Sequence, residues 1–386
     1  MKNKFSYISI AVILVLSVII IVVSPLIYPS RYLSDRLHKN LDYEIAKVIE
    51  VKGEVLKPDP KLSTVDIGYQ DIKIEILNGK YAGQKFDIRN GVSRIYNIKV
   101  KPGMEVVAGI YTDKGQISQV AIYSHKRSQV IYWLVAIFCI VIVAVGRLKG
   151  FKSLVALFFT GITVIFLMIP LIFRGVNPIL AAIITAILTT SAMMLLIGDS
   201  KEKIYAATLG AVLGVIAAGL ISYIAGELAH LSGLTMENAE NIMYIAENSS
   251  MKVQGLMFAS ILIASLGAIM DMSMSIASAI FEVHGANPKQ SQKNLFQSGM
   301  NIGRDVIGTM ANTLILAFAG SSLTLLILLI AADMPYAQLS NLDVITTELI
   351  QGLSGSIGIV LTVPITSFIT AMIIKQGRIK NIKFRK

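Results

Sequence analysis

The sequence predicts a polytopic α-helical membrane protein of about eight transmembrane helices, with a small extracytoplasmic β-barrel-like (OB-like) domain between the first and the second. Three observations carry this. Apolar runs recur along the 386 residues, and many exceed the roughly 18 needed to cross about 30 Å of hydrocarbon. Charged residues make up 15% of the chain, where a soluble globular domain carries about 25%. One stretch, residues 29–128, breaks the apolar pattern and alternates polar and apolar positions as strands do.

The first apolar run, residues 5–28, follows "MKNK". It is too long for a signal-peptide core and shows no Ala-x-Ala cleavage site, so it is expected to be a retained anchor, residues 1–28. The next segment, 29–128, holds five strand-like runs: "EIAKVIEVKGEVL", "DIKIEIL", "QKFDIR", "MEVVAGIYT" and "QISQVAIYS". Turn signals fall between them at Asn78-Gly79, Pro102-Gly103 and Lys114-Gly115. Five short strands in this length suggest a small barrel. Tyr132 and Trp133 follow it, where an aromatic belt would lie.

Seven further spans are expected at 129–147, 153–173, 177–197, 204–226, 254–281, 306–331 and 352–374, giving a seven-helix domain over 129–375 and a basic tail over 376–386. Residues 230–251 include Met236, Ala239, Ile242, Met243 and Ala246 at helical spacing. This stretch is expected to lie on the membrane surface or to fold back as a lid.

Charge sets the orientation. Sixteen lysines and arginines fall on one set of span ends: Lys2, Lys4, the run 147–152, Lys201, Lys203, Lys289, Lys293, Arg304, Lys375 and the tail. The short loops of the opposite set hold Arg174 and Lys252 against seven acids. Cytoplasmic loops of membrane proteins are enriched in basic residues, so both termini are expected in the cytoplasm, with residues 29–128 outside.

The net charge of +11 belongs to these loops and does not indicate nucleic-acid binding. One cysteine, Cys139, and four scattered histidines build neither a disulfide framework nor a Cys- or His-rich metal site. No Walker or dinucleotide-binding glycine pattern is present, and no cofactor is implied. "GLSG" at 352–355 matches an intramembrane serine protease motif by letters alone, because no span holds a histidine to activate Ser354. Asp271 and Asp305 lack the Gly-x-Gly-Asp context of an intramembrane aspartyl protease. An enzyme is therefore not expected; the expected partners are the lipid bilayer, a small solute or ion such as a proton, and a further copy of the chain.

Candidate function gathers on three stretches. In "GAIMDMSMSIASAIFE", Asp271 lies inside an otherwise apolar span, where a carboxylate costs about 2.5–3.5 kcal/mol. Asp271, Ser275, Ser278 and Glu282 share one helical face, which continues outward through Gly267, Ala264 and Ser260. Such a small, polar stripe is expected to face a neighbouring helix or a cavity. In "GRDVIGTMANTLILAFAGSS", Asp305, Thr309 and Asn312 share another face. By helical rise, Asp271 and Asn312 fall in one layer of the inner leaflet. The last span adds Pro364, which frees a carbonyl one turn earlier, and Thr366, Ser367 and Thr370 at that depth.

Two readings of this layer stay open. It could hold a hard cation or relay a proton, or it could be a hydrogen-bonded knot between helices. Gly267, Gly308 and Gly320 are expected to serve helix packing. So are Gly210 and Gly214, which with Ala218 form a close-packing face that is also a candidate dimer seam.

These stretches, with "GSIGIVLTVPITSFI" (355–369) and "LNGKYAGQKFDIRN" (77–90), resemble the YibE/F family of bacterial membrane proteins over nearly the whole chain. The resemblance implies a multi-span, transporter-like protein without an assigned substrate. Its motif positions fall here on Asp271, Ser275, Glu282, Asp305, Gly308, Asn312 and Pro364. The expected function is transport or export of an ion or small solute, coupled through Asp271 and Asn312. The alternative is a non-transporting scaffold or sensor whose external domain binds a partner or envelope ligand.

Overall fold

The computed structural model describes residues 2–27, 40–113, 115–231, 239–247, 249–253 and 255–376. Contacts divide the chain into two compact units, Ser30–Val141 on the one hand and Met1–Pro29 with Ile142–Lys386 on the other.

The first unit is a five-stranded antiparallel sheet: β1 (Leu41–Pro58), β2 (Asp66–Ile76), β3 (Lys85–Val92), β4 (Glu105–Asp113) and β5 (Gln116–His125). The strand order is β3-β2-β1-β4-β5. All five expected runs form strands. β1 is long because it serves two partners: its first half pairs with β4 and its second half with β2. Register shifts after Val48 and Val51 are bulges that bend and coil the strand between those roles. The bend curls the sheet around Ala46, Val48, Ile72, Ile74, Ile76, Val106, Ala108 and Ile110. The edges β3 and β5 approach one another without pairing, so the result is a half-barrel rather than a closed one.

Two buried side chains hold the irregular segment before β4 where a sixth strand would sit. Val100 N–H donates to Gln70 Oε1 at 2.9 Å, and Gln70 Nε2 donates to Val100 O at 3.0 Å. Asn90 Nδ2 donates to Ile98 O at 2.7 Å. These bonds satisfy backbone that would otherwise be buried unpaired. Gly79 and Gly103 take positive φ at two of the expected turns, a conformation that costs a residue with a side chain.

The remaining elements are helical: α1 (Lys2–Ile27), α2 (Ser128–Thr163), α3 (Ile169–Phe173), α4 (Pro178–Ile197), α5 (Lys201–Leu228), α6 (Ala239–Glu247), α7 (Leu256–Ala286), α8 (Gln292–Ser321), α9 (Leu323–Ala331), α10 (Tyr336–Leu339) and α11 (Asp343–Lys375). Polar caps mark several starts. Asn177 accepts from Ile179 N–H with Pro178 in the first turn, Ser200 from Lys203 N–H and Ser291 from Asn294 N–H.

Among the described residues, seven helices are long and apolar enough to cross a membrane, against about eight expected. The difference lies in one 46-residue run, Ser128–Phe173, which contains both the second and third expected spans. It breaks at Arg147, where φ is 49°, and passes through a π-helical turn at Val164–Met168. The expected span 306–331 is instead α8 and α9, which meet at Ser322, and α11 starts nine residues before its expected limit of 352. Within 230–251, where helical spacing was expected, the described residues form the short α6; residues 232–238, with Met236, and the tail beyond 376 lie outside the described residues.

In the half-barrel, one clamp closes the β1–β2 connection. Asp59 accepts from Lys61 N–H and Leu62 N–H at 2.7 and 3.0 Å and from Arg94 Nη2 at 2.8 Å, with a second bond from Arg94 Nε. The Arg94 guanidinium, helped by the two amides, lowers the Asp59 carboxyl from 3.8 to about 2. Its folded value lies below its unfolded one, so the stabilisation is present above about pH 4 and is lost as pH falls through about 2. Hydrogen exchange at the Lys61 and Leu62 amides is expected to speed up across that window. In Arg94→Ala it is expected to be fast already at neutral pH and to begin its acid response at a higher pH.

Candidate functional site

The helical unit is organised on α11, which packs against α5, α7 and α8. Small residues every fourth position let the backbones approach. On the α5 side, Gly210, Gly214 and Ala218 sit opposite Thr366, Thr362 and Gly358. A Cβ on Gly210 would overlap Thr366 Oγ1 and stand 2.6 Å from Ser273 Oγ; one on Gly214 would overlap Thr362 Oγ1. On the α8 side, Gly299 meets Ser367 and Gly303 meets Val363. The Gly210–Gly214 face, a candidate dimer seam from the sequence, is thus filled within the chain by α11.

At the closest approach lies a hydroxyl knot. Ser273 Oγ donates to Ala207 O at 2.7 Å and stands 3.1 Å from Thr366 Oγ1, so α5, α7 and α11 are tied at one level. Thr366, Ser367 and Thr370 are all buried. Thr370 Oγ1 donates to Thr366 O at 2.7 Å, while Ser367 Oγ has no hydrogen-bond partner among the described residues and points at Gly299. Helix α11 continues through Pro364 unbroken. Ser265, Ser273 and Thr362 were not among the expected residues. The signal for Thr362 was present in the matching four-residue repeats of α5 and α11, and that for Ser265 and Ser273 in a second small-residue face of α7.

Asp271 does not join this knot. Isoleucines set the rotation of α7: Ile269 fills the space over Gly214 and Gly358, Ile276 that over Gly303, and Ile280 that over Gly299. Asp271 is two residues from Ile269 and from Ser273, roughly 200° around the helix. It is exposed, as are Ala264, Gly267, Ser275 and Glu282, with Ser260 and Ser278 half-buried. The stripe expected to face a neighbouring helix or a cavity meets no helix of the same chain among the described residues. Within one chain it faces outward, because the larger isoleucines occupy the inward side.

The α8 candidates behave alike. Asp305, Gly308, Thr309 and Asn312 are exposed, and Thr309 Oγ1 donates to Val306 O of its own helix at 2.9 Å. No atom lies within 4 Å of a Cβ built on Gly267, Gly308 or Gly320. Their expected packing role finds no partner among the described residues, since these faces point away from α11. The single expected layer is thus two places, a closed hydroxyl knot inside and an open carboxylate face outside.

Register aligns the open face. Ile280 against Gly299, Ile276 against Gly303, and Ser265 and Leu314 both against Gly355 show α7 and α8 running antiparallel. This puts Gly308 level with Asp271, Arg304 with Ser275, and Asn312 with Gly267, to within about a turn. Among the described residues every salt bridge lies in the half-barrel. Asp271, Glu282 and Asp305 therefore have no ion-pair partner, and Arg304 reaches only Asn301 Oδ1, at 3.4 Å. A separate cavity of about 180 Å³ between α8, α9 and α11 is apolar apart from Glu348 and Ser322. It holds none of the expected residues.

A family model described as YibE/F-like protein matches residues 134–376, and one described as YibE/F family N-terminal domain matches residues 39–125. No curated protein and no solved structure matches the chain.

The two glycine classes are expected to separate by mutation. Gly210→Ala and Gly214→Ala each force a methyl into α11 and are expected to cost about 1–3 kcal/mol. Gly267→Ala and Gly308→Ala meet open space and are expected to stay within about 0.5 kcal/mol of wild type. Thermal midpoints of the purified variants measure the split.

Proposed function

The chain belongs to the YibE/F-like family, and on that premise we propose that it is a multi-pass protein of the bacterial cell membrane that transports or exports an ion or small solute. In this reading α1, the two halves of the run broken at Arg147, α4, α5, α7, α8 and α11 cross the bilayer. Both termini and the basic connections at 147–152, 198–203 and 287–293 lie on the cytoplasmic side, and the half-barrel lies outside.

One observation carries the transport reading. Asp271 stands at the middle of α7, a 31-residue helix, with neither a counter-ion nor an internal hydrogen bond among the described residues. Ionisable groups at that depth mark ion and proton pathways more often than structure. A structural carboxylate would be held by donors, as Asp59 is held by Arg94 in the half-barrel. Asp271 is instead available to exchange a proton or a cation. Asp305, Thr309 and Asn312 are the nearby groups with oxygen ligands of the kind a hard cation takes. The hydroxyl knot of Ser273 and Thr366 serves as the rigid support beside which this exchange occurs.

A second reading, a scaffold or sensor, draws on the half-barrel. Tyr43, Tyr111 and Tyr123 are exposed on the neighbouring strands β1, β4 and β5. Tyr43 and Tyr123 meet edge to face with ring centroids 4.7 Å apart. Exposed aromatic clusters of this kind suit a binding partner.

Complementation separates the two. Cells lacking the protein receive wild type, Asp271→Asn, or the double variant Tyr43→Ala/Tyr123→Ala at matched membrane abundance, and are profiled across ions, pH values and toxic compounds. Transport requires Asp271→Asn to fail, at least tenfold below wild type in growth rescue, on a condition where the tyrosine variant succeeds. The opposite pattern would replace it with the scaffold reading.

A further inference from the structure

We propose that a second copy of this chain covers the outward face of α7 and α8, and that the Asp271 site is completed across that contact. The inference rests on the reading of both helices as membrane-spanning. Hydrocarbon offers no partner for a charge or a hydrogen-bonding group, yet Asp271, Ser275, Asp305 and Asn312 are all exposed in the single chain. Something polar must meet them. Helix α8 is also the least covered of the seven apolar helices, with 11% of its most apolar window buried.

The face is complementary to itself. It carries unpaired acids, Asp271 and Asp305, beside an unpaired base, Arg304, and adds the amide of Asn312 as a donor. Two copies inserted in the same direction are related by a two-fold axis along the membrane normal, which brings groups of equal depth together. The register described above puts Asp271 level with Gly308, whose missing side chain leaves open space. Across the axis, Asp271 enters the gap over the partner subunit's Gly308. One turn to either side, the partner subunit's Arg304 and the partner subunit's Asn312 are donors within reach. The glycines that line the α5, α7, α8 and α11 seams are filled from the same chain, by Thr362, Thr366, Ile280 or Val363 among others, while Gly161 and Gly320 meet open space as Gly267 and Gly308 do. Gly267 and Gly308 are left unfilled on the polar face, as close helix approach between subunits requires. The α5 glycines cannot serve this role, since α11 already occupies them.

Cross-linking of the full-length protein in native membranes tests this. In a Cys139→Ser background, Gly308→Cys and Gly267→Cys are made singly, with Leu220→Cys, exposed on α5, as the control. Each is treated with a short bifunctional maleimide. Open space around both glycines favours normal folding, and membrane abundance checks it. Most of the Gly308→Cys chain is expected to shift to twice its 41.9 kDa mass, with the control at least tenfold less. A product of any other mass identifies a different protein as the cover. Labelling by a water-soluble maleimide without a dimer identifies an open aqueous cleft, and reaction only with a membrane-permeant reagent identifies lipid. Each of these three outcomes overturns the proposal. The test also stands apart from complementation: a dimer with an active Asp271→Asn would remove the transport reading and leave the contact in place.

Discussion

The helical unit depends on one constraint, the close approach of α5 and α11. In the membrane-spanning reading proposed above, the surrounding lipid is as apolar as a leucine side chain, so burial of apolar surface does little to hold helices together. Packing contacts and interhelical hydrogen bonds must do so. Gly210, Gly214 and Ala218 against Thr366, Thr362 and Gly358 provide the first, and Ser273 bonded to Ala207 O and set beside Thr366 provides the second. With the two backbones this close, the threonine hydroxyls fold back onto their own helix, as Thr362 does onto Gly358 O at 2.8 Å.

The rotation of α7 follows from that seam. Glycines on α5, α8 and α11 leave pockets that Ile269, Ile276 and Ile280 fill, and dense packing leaves little freedom to turn the helix. Asp271 is carried to the opposite side as a consequence. The carboxylate is thus held outward by the packing behind it, with no bond of its own. A rigid, closed interior and a charged, open exterior sit back to back on one helix.

The half-barrel solves its polar groups in another way. Its six ion pairs among the described residues, including Lys52–Asp87 at 2.7 Å and Arg89–Asp71 at 2.8 Å, lie largely in the open, where such pairs contribute little each. Its buried polar side chains, Gln70 and Asn90, are satisfied by backbone of the segment before β4. Asp59 combines both habits, a buried carboxylate closed by Arg94 and two amides. Next to that fully bonded carboxylate, Asp271 stands out as one without a partner among the described residues.

The sequence by itself determined the division into apolar helices and an inserted five-stranded domain, because both patterns are local: run length for the helices, period-two alternation for the strands. It also picked out Asp271, Asp305, Thr309 and Asn312 as residues out of place in apolar segments, since that is a matter of composition along a helix. Helical spacing showed as well that Asp271, Ser275 and Glu282 share a face. Which way that face points was decided only by tertiary structure, because α7 carries a second small-residue face through Ser265 and Ser273, and spacing alone ranks neither as the inner one. The isoleucines and the glycine pockets across from them settle it. The same cause split the expected layer in two, placing Thr366, Ser367 and Thr370 inside with Ser273 and leaving Asp271 and Asn312 outside. It likewise turned the Gly210–Gly214 stripe inward: a close-packing motif states that a backbone will come near, and only the three-dimensional neighbours say whose.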